Sequence, residues 1–588
     1  MFRDVYVAEL DYLQQLMDEL GREQPQLAPM LGRSADPGTT RLAQNLAFLF
    51  ARLRQRLDDD LPEVIHPVLE GLCPWMLRPV PGATILELTP EPSLKEAAHV
   101  AAGSAFGSRP VEGVQCIFQS TLDVTVLPWS LDRVSVSTAR DEVVLGLSVN
   151  DGAVIDLGAV SALRIFLAMP AAMALDVRSL LLRDVVELVG RVPGGAGDPR
   201  GARAREIVLA RGAGACVFPS AVPRLPETEP RPPDAPELAQ LRAYFAWPAH
   251  LGLVETASLA KLAELGPDPR RLELVLRLSR PLPRAYPFDV GQVRLHATPA
   301  VNVHRLQLHD LPLAEGRCAL TAFPGLAPAR AGAEVYAIAR VTRVRADLAS
   351  EPADPWARFF PPRLDDAGRA PLRYEVHRVP SVVGPEVDVS LSFTDPEARG
   401  GGLSVDVDLL VHDGPRAARL AIGDVCVPVT ASPSLVAFRN VTPVTRHAAP
   451  QLEGDRMWRW FQLLKATLPQ LCDAEHLARV LALTNVAAWA RWPDAKPDAE
   501  RFAALLGVRC DRAKRAERDE VVPGARVEIR VDTQAFTGPG DVDAFGESLV
   551  PLFAGTLRTH EWLEVVLADA NGAPLFTYPA RHGTRPGL

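Results

Sequence analysis

The side chains of this 588-residue chain that could do chemistry lie in a few short stretches. VNVHRLQLHD offers His304, His309 and Asp310, two imidazoles and a carboxylate of the kind that hold a transition metal. A five-residue gap in a strand sends His304 and His309 to opposite faces, so they do not share one ion. GPGDVDAFGE offers Asp541 and Asp543, yet it lacks the glycine and terminal glutamate that shape an EF-hand calcium loop. Acids capping a helix N-terminus are the expected reading there. In Asp58-Asp59-Asp60, successive carboxylates on a helix would diverge by about 100° per residue and could not converge on a cation. They also oppose the dipole at a helix C-terminus, so they belong to a turn, with Asp60 capping the next helix. RVPGGAGDPRG lacks the GxGxxG pattern, and AGSAFGS has the wrong spacing for a GxSxG elbow. Neither GxxxxGK[ST] nor HExxH occurs. The expectation is a protein with no catalytic site, no cofactor and no metal.

Composition narrows the class further. The net charge of −9 is mild for this length, which argues against nucleic acid as a partner. The seven cysteines (Cys73, Cys116, Cys216, Cys318, Cys426, Cys472 and Cys510) form no CxxC pair. Spacing of this kind points to reduced, mostly buried thiols in a cytoplasmic protein, and to neither a zinc site nor a disulfide framework. The start, MFRDVYVAELDYL, has early acids and no apolar run, so it does not read as a signal peptide. The longest apolar stretch, LRIFLAMPAAMALDV, is broken by Arg164 and Pro170 and is too short to cross a bilayer. No direct membrane insertion is expected.

The elements that must carry these residues change in kind along the chain. Region 1–80 reads as three helices. The first has Tyr6, Leu10, Leu13, Met17 and Leu20 on one stripe, and the second has Leu42, Leu46, Leu49, Leu53 and Leu57. Phe48, Phe50 and Ala51 widen the apolar surface of the second helix beyond one face. Region 81–230 reads as a β-rich domain with one helix at about 173–189, closed by the proline-rich linker 222–236. Region 231–446 alternates apolar and polar residues in the manner of antiparallel strands with one buried face, as in LELVLRLS and LSVDVDLLV. Region 447–588 reads as a C-terminal α+β domain ending in the hairpin WLEVVLADANGAPLFTY, where Asn571-Gly572 predicts a two-residue turn. The fold class expected is α+β and multidomain.

Aromatic residues are sparse but clustered: Tyr244 and Trp247 in YFAWPAHLGL, Trp458 and Trp460 in MWRWFQLL. Two tryptophans two positions apart on a helix point about 200° apart, so one of them faces something other than its own core. With Leu46, Phe48, Phe50 and Leu53 of the second helix, these residues are the candidate interface set.

The sequence also carries a resemblance. ELDYLQQLMDELGREQPQLAPMLG followed by DPGTTRLAQNLAFLFARLRQRLDDDLPEVIHPVLEGLCPWMLRPVPG resembles the opening of the TssF (VasA/ImpG) family of type VI secretion baseplates. VQCIFQSTLDVTVLPWSL, YFAWPAHLGLVE, HATPAVNVH, EVYAIARVTRV and GARVEIRVDTQAFTGPGDVDAFGESLVPLF are similar to later family landmarks and keep their order. The resemblance departs at Ala297, where the family has Cys before Thr-Pro, and at Val303-His304, where it has Leu-Phe. It implies a wedge subunit like those of contractile phage baseplates, with no catalytic role. Two copies would pair with one TssG and join TssE, TssK and a VgrG-type hub. The assembly would be cytoplasmic, docked at an inner-membrane complex, and would start the contractile sheath. A wedge subunit of a related phage-tail-like injection particle is the alternative it implies.

Overall fold

Among the described residues, alternation of apolar and polar side chains makes strands the commonest regular element, mostly paired antiparallel, with helices where periodicity shifts to three and four. A computed structural model describes residues 60–585 except 194–204, 213, 220–235, 267–269, 284–285, 287, 315, 321–332, 345–349, 356–371, 381–386, 394–403, 453, 465, 493–494 and 518–519, together with 41–42, 44–50 and four positions of the first twenty. Two compact units emerge: Met1–Leu77 with Ala357–Pro361 and Gln451–Gln462, and Arg78–Trp356 with Pro362–Pro450 and Leu463–Leu588.

In the first unit, residues 41–42 and 44–50 are helical, and a further helix spans Asp60–Leu72. Ile65, Leu69 and Cys73 recur every four residues and are all buried, which is the stripe a helix needs on its packed side. The chain then tightens into a 3-10 turn at Pro74–Met76, where proline at the first position gives up a donor the helix start would leave unpaired.

The second unit is built from sheets whose strands come from distant parts of the sequence. One five-stranded sheet runs in the order Val436–Asn440, Ala83–Pro90, Ala297–Val301, Val114–Ser120, Ala105–Val111. A second runs Arg205–Arg211, Val185–Val192, Arg271–Leu278, Glu142–Val149, Trp129–Val136. Arg271–Leu278 lies after the proline-rich stretch yet pairs with strands before it on both sides, Leu274 facing Leu145 and Gly190. Seven strands between His304 and His412 form a sheet whose apolar faces make a core around Leu306, Val341, Leu391 and Leu409. Among the described strands, pairing is antiparallel except for Ser350–Pro355 beside Leu372–Pro380 and Glu520–Val531 beside Trp562–Ala568. The latter two strands are joined through helix Pro539–Ala554, the crossover that a parallel pair requires. The architecture is therefore mixed α and β, mostly antiparallel, with a C-terminal α/β sheet.

Three local readings are corrected. The helix expected to reach residue 189 ends at Arg183, and Val185–Val192 is a strand. Val185, Val186, Val189 and Val192 are β-branched, and the strand they belong to pairs with Arg205–Arg211 on one side and Arg271–Leu278 on the other. Residues Pro236–Ala246, read as the start of a strand region, form a helix whose Leu238, Leu241 and Phe245 are buried. The turn at Asn571-Gly572 is wider than two residues. Asp569 and Ala573 pair across it, the Asp569 carboxylate accepts from the Asn571 and Ala573 amides, and only Gly572 takes a positive φ. A type I′ turn would need positive φ at both central residues.

Candidate interaction surface

The residues with chemical potential are absorbed by the fold. Helix Pro539–Ala554 begins with Asp541 and Asp543, both buried. Asp543 Oδ1 accepts from Arg183 Nη2 at 2.5 Å, and Oδ2 accepts from Arg183 Nε at 2.8 Å and Ser179 Oγ at 2.6 Å. Asp541 Oδ2 accepts from Arg501 Nη2 at 2.8 Å and from the Thr537 amide and hydroxyl, each at 3.0 Å. From helix Ala171–Arg183, Asp176 accepts from the Gly540 amide (2.6 Å) and thereby caps the facing helix. The two helices approach so closely that a Cβ on Gly540 would lie 2.2 Å from the Leu175 backbone. Fully buried Arg178 donates to Glu547 at 2.5 Å, with its guanidinium 4.5 Å from the Phe218 ring centre. This polar seam is a structural junction. Among the described residues no group of three or more His, Cys, Asp and Glu side chains is arranged to hold a metal ion.

The other candidates are equally dispersed. His304 is buried with Nδ1 3.9 Å from Asp413, whereas His309 is exposed and pairs with Asp406 at 3.3 Å. Asp60 starts helix Asp60–Leu72, while Asp58, Asp59 and the glycine-rich segment from 194 lie outside the described residues. A cavity of about 210 Å³ opens beside Trp129, Ile155, Leu157 and Leu272, rimmed by Asn150, Asp151 and Arg270. Its lining has no Ser, Cys or His, and so no nucleophile paired with a base.

What stands out instead is apolar surface. Leu42 and Leu49 are each 61% exposed, Phe48 44%, Phe50 46% and Leu46 38%, and in this run Ala47 alone is buried. The apolar stripe read from the sequence is thus open to solvent. Trp460 is buried and meets Trp75 edge-on at 6.1 Å, while Trp458, two positions away, is 42% exposed and stacks on Phe461 at 5.6 Å. The 200° divergence of a helix accounts for the split. Tyr244 is buried inside the chain's own core, edge-on to Phe245, and burial pushes its phenol up. Trp247 is half-buried, its indole donating to the Pro81 carbonyl at 3.2 Å. Leu53 lies outside the described residues. Leu46, Phe48 and Phe50 are therefore gathered on one exposed helical run, and Tyr244 and Trp247 belong to packing elsewhere.

Comparison with known proteins decides the family. The sequence matches the family described as Type VI secretion system, TssF, over residues 1–585. The chain belongs to the TssF family. This is a structural baseplate family and not a family of enzymes. A stretch of 134 residues is 29% identical to the type VI secretion system component TssF1 of Pseudomonas aeruginosa, covering 21% of this chain and 22% of that protein. The chain thus spans about a fifth of that curated relative's length in the match. The fold is shared with a chain of a type VI TssK-TssF-TssG baseplate subcomplex solved by cryo-electron microscopy: TM-score 0.73, 24% identity, 93% of this chain and 99% of the other. A chain of a type VI baseplate complex is similar at TM-score 0.65 and 21% identity, over the whole of both chains.

Proposed function

We propose that this chain is a structural wedge subunit of a type VI secretion baseplate, built as contractile-phage wedge proteins are. The observation that carries this reading is the match to the TssF family over residues 1–585. The fold supports it, since the similar chain from the TssK-TssF-TssG subcomplex corresponds almost end to end. By that likeness the partners are TssG and TssK. The further assignments are that two copies engage one TssG, and that TssE and a VgrG-type hub complete the wedge that initiates the contractile sheath. The place of action is the cytoplasmic side of an inner-membrane complex. Among the described residues no helix is long and apolar enough to cross a membrane, in keeping with docking through partners.

Leu46, Phe48 and Phe50, with Leu53 next along the sequence, and Trp458 are the residues assigned to partner contacts. Large apolar side chains exposed together on one helical run mark a protein contact more often than isolated ones do. The experiment is co-expression with a TssG protein, followed by light scattering on the purified complex. A mass equal to two copies of this chain per partner is expected. A monomer that ignores that partner would overturn the assignment.

A further inference from the structure

The C-terminal sheet runs in the order Leu505–Glu517, Glu520–Val531, Trp562–Ala568, Pro574–His582, so Leu505–Glu517 is one of its edges. This strand pairs with Glu520–Val531 out to Glu517 opposite Glu520. Glu520–Val531 is supported in turn by Trp562–Ala568 only from Gly524 onward. Beyond Ala513, which faces Gly524, the hairpin is therefore a two-stranded arm. Among the described residues no strand pairs with the other side of Leu505–Glu517. Helix Ala474–Thr484 packs against the strand, yet Asp511, Arg512, Lys514, Arg515 and Ala516 are all exposed, so its outer half is left uncovered.

An edge strand offers its outward N–H and C=O groups to any extended chain that lies beside it. Here the edge is also braced. The Trp562 indole donates to the Val522 carbonyl at 3.1 Å, and Arg512 Nη1 donates to Glu561 at 3.0 Å, so the arm is fixed at its root from the neighbouring strand. Charge then selects what the edge accepts. Residues 509–517 carry four basic side chains, Arg509, Arg512, Lys514 and Arg515, against Asp511 and Glu517. Arg509 is answered by Asp511 at 3.0 Å. Arg512 and Lys514 are two positions apart and share one face of the strand, in a row with the uncharged Cys510 and Ala516.

We propose that the outer edge of Leu505–Glu517 binds an extended acidic segment of another protein by strand addition. The segment lies along residues 511–517, and its backbone continues the ladder. Acidic side chains at alternate positions stand across from Arg512 and Lys514, where directly opposed Cβ atoms are about 5 Å apart and opposite charges attract. A second copy of this strand would bring the same basic excess to the edge, and like charge opposes it.

The test is fluorescence anisotropy of a labelled peptide of alternating valine and aspartate, titrated with the full-length chain. Hydrogen exchange of the chain with and without the peptide locates the contact. Saturable binding is expected, with slowed exchange confined to residues 511–517. The same peptide methylated on its backbone nitrogens, and a peptide of alternating valine and lysine, are expected not to bind. Lys514→Glu, an exposed substitution that leaves the hairpin partner untouched, should weaken binding by about threefold to tenfold. Equal binding of the methylated peptide would reduce the effect to charge attraction and overturn the proposal. So would absence of binding, or protection elsewhere in the chain. Protection of 511–517 that rises with chain concentration alone would give the edge to a second copy and overturn it as well.

Discussion

Two regions of this protein invert the usual distribution of side chains. Where helix Ala171–Arg183 meets helix Pro539–Ala554, charge is buried: Arg178, Asp541 and Asp543 are all almost inaccessible. In the helical run 44–50, QNLAFLF carries no charge, and its leucines and phenylalanines face solvent. Buried charge holds only where each group has its counterpart, and the first region supplies Arg183 for Asp543, Arg501 for Asp541 and Glu547 for Arg178. In the second region Ala47 is buried while Leu46, Phe48, Leu49 and Phe50 stay exposed. The contrast separates an element whose charges are answered within the chain from one whose large apolar side chains stay exposed.

The comparison can be broken most forcefully at the buried seam. Asp543→Ala leaves Arg183 without its carboxylate and is expected to lower stability by about 3–5 kcal/mol, nearer the lower figure because Arg183 is partly exposed. Urea unfolding of the isolated chain measures it. A loss below about 1 kcal/mol would show that the seam behaves as a surface ion pair. For the exposed run the two readouts should separate. Leu46→Asp with Phe50→Asp is expected to change isolated-chain stability little but to cost at least about 2 kcal/mol of partner affinity. Titration against the TssG-like partner checks this, and unchanged binding would remove these residues from the contact.

Gly540→Ala places a methyl group against the Leu175 backbone and should cost about 2 kcal/mol, read by the same unfolding assay. A smaller, pH-dependent loss is expected from His412. It is fully buried, its Nδ1 accepts from the Gly414 amide, and Glu334 stands 3.7 Å from Nε2, beyond hydrogen-bond range. Burial first, then His447 and His304, push its pKa down to about 3. Neutral in the folded chain, it takes up a proton on unfolding below about pH 6.5. Its contribution is therefore present above that pH and is lost as pH falls toward 3, by at most about 1.4 kcal/mol per unit. His412→Asn should flatten the slope of stability against pH between 6.5 and 5. An unaltered slope would mean that His412 keeps its ordinary proton affinity.

Much of the element pattern was legible in local sequence. The strands Arg271–Leu278 and Ser404–His412 match readings made from alternation. The failures have equally local causes. Val185–Val192 was merged with the preceding helix because a continuous apolar run looks alike in both periods. The strand Leu505–Glu517 escaped notice because its many charged residues give no apolar alternation, and it depends on its hairpin partner for structure. The seam at Asp541 and Asp543 was legible only as acids near a helix start.

The sequence by itself determined the types of most elements, the absence of catalytic motifs and the resemblance that led to the TssF family. These are properties of neighbouring residues, set by backbone propensity and by which faces a period of two or 3.6 brings together. Tertiary structure alone decided which charges are neutralised and which apolar faces stay open. Arg183 reaches Asp543 across 360 positions, and Arg271–Leu278 joins strands from beyond the proline-rich stretch. Pairings at that separation leave no periodic trace, because the residues that make them share no local dihedral constraint. Only the packing of the whole chain brings them together.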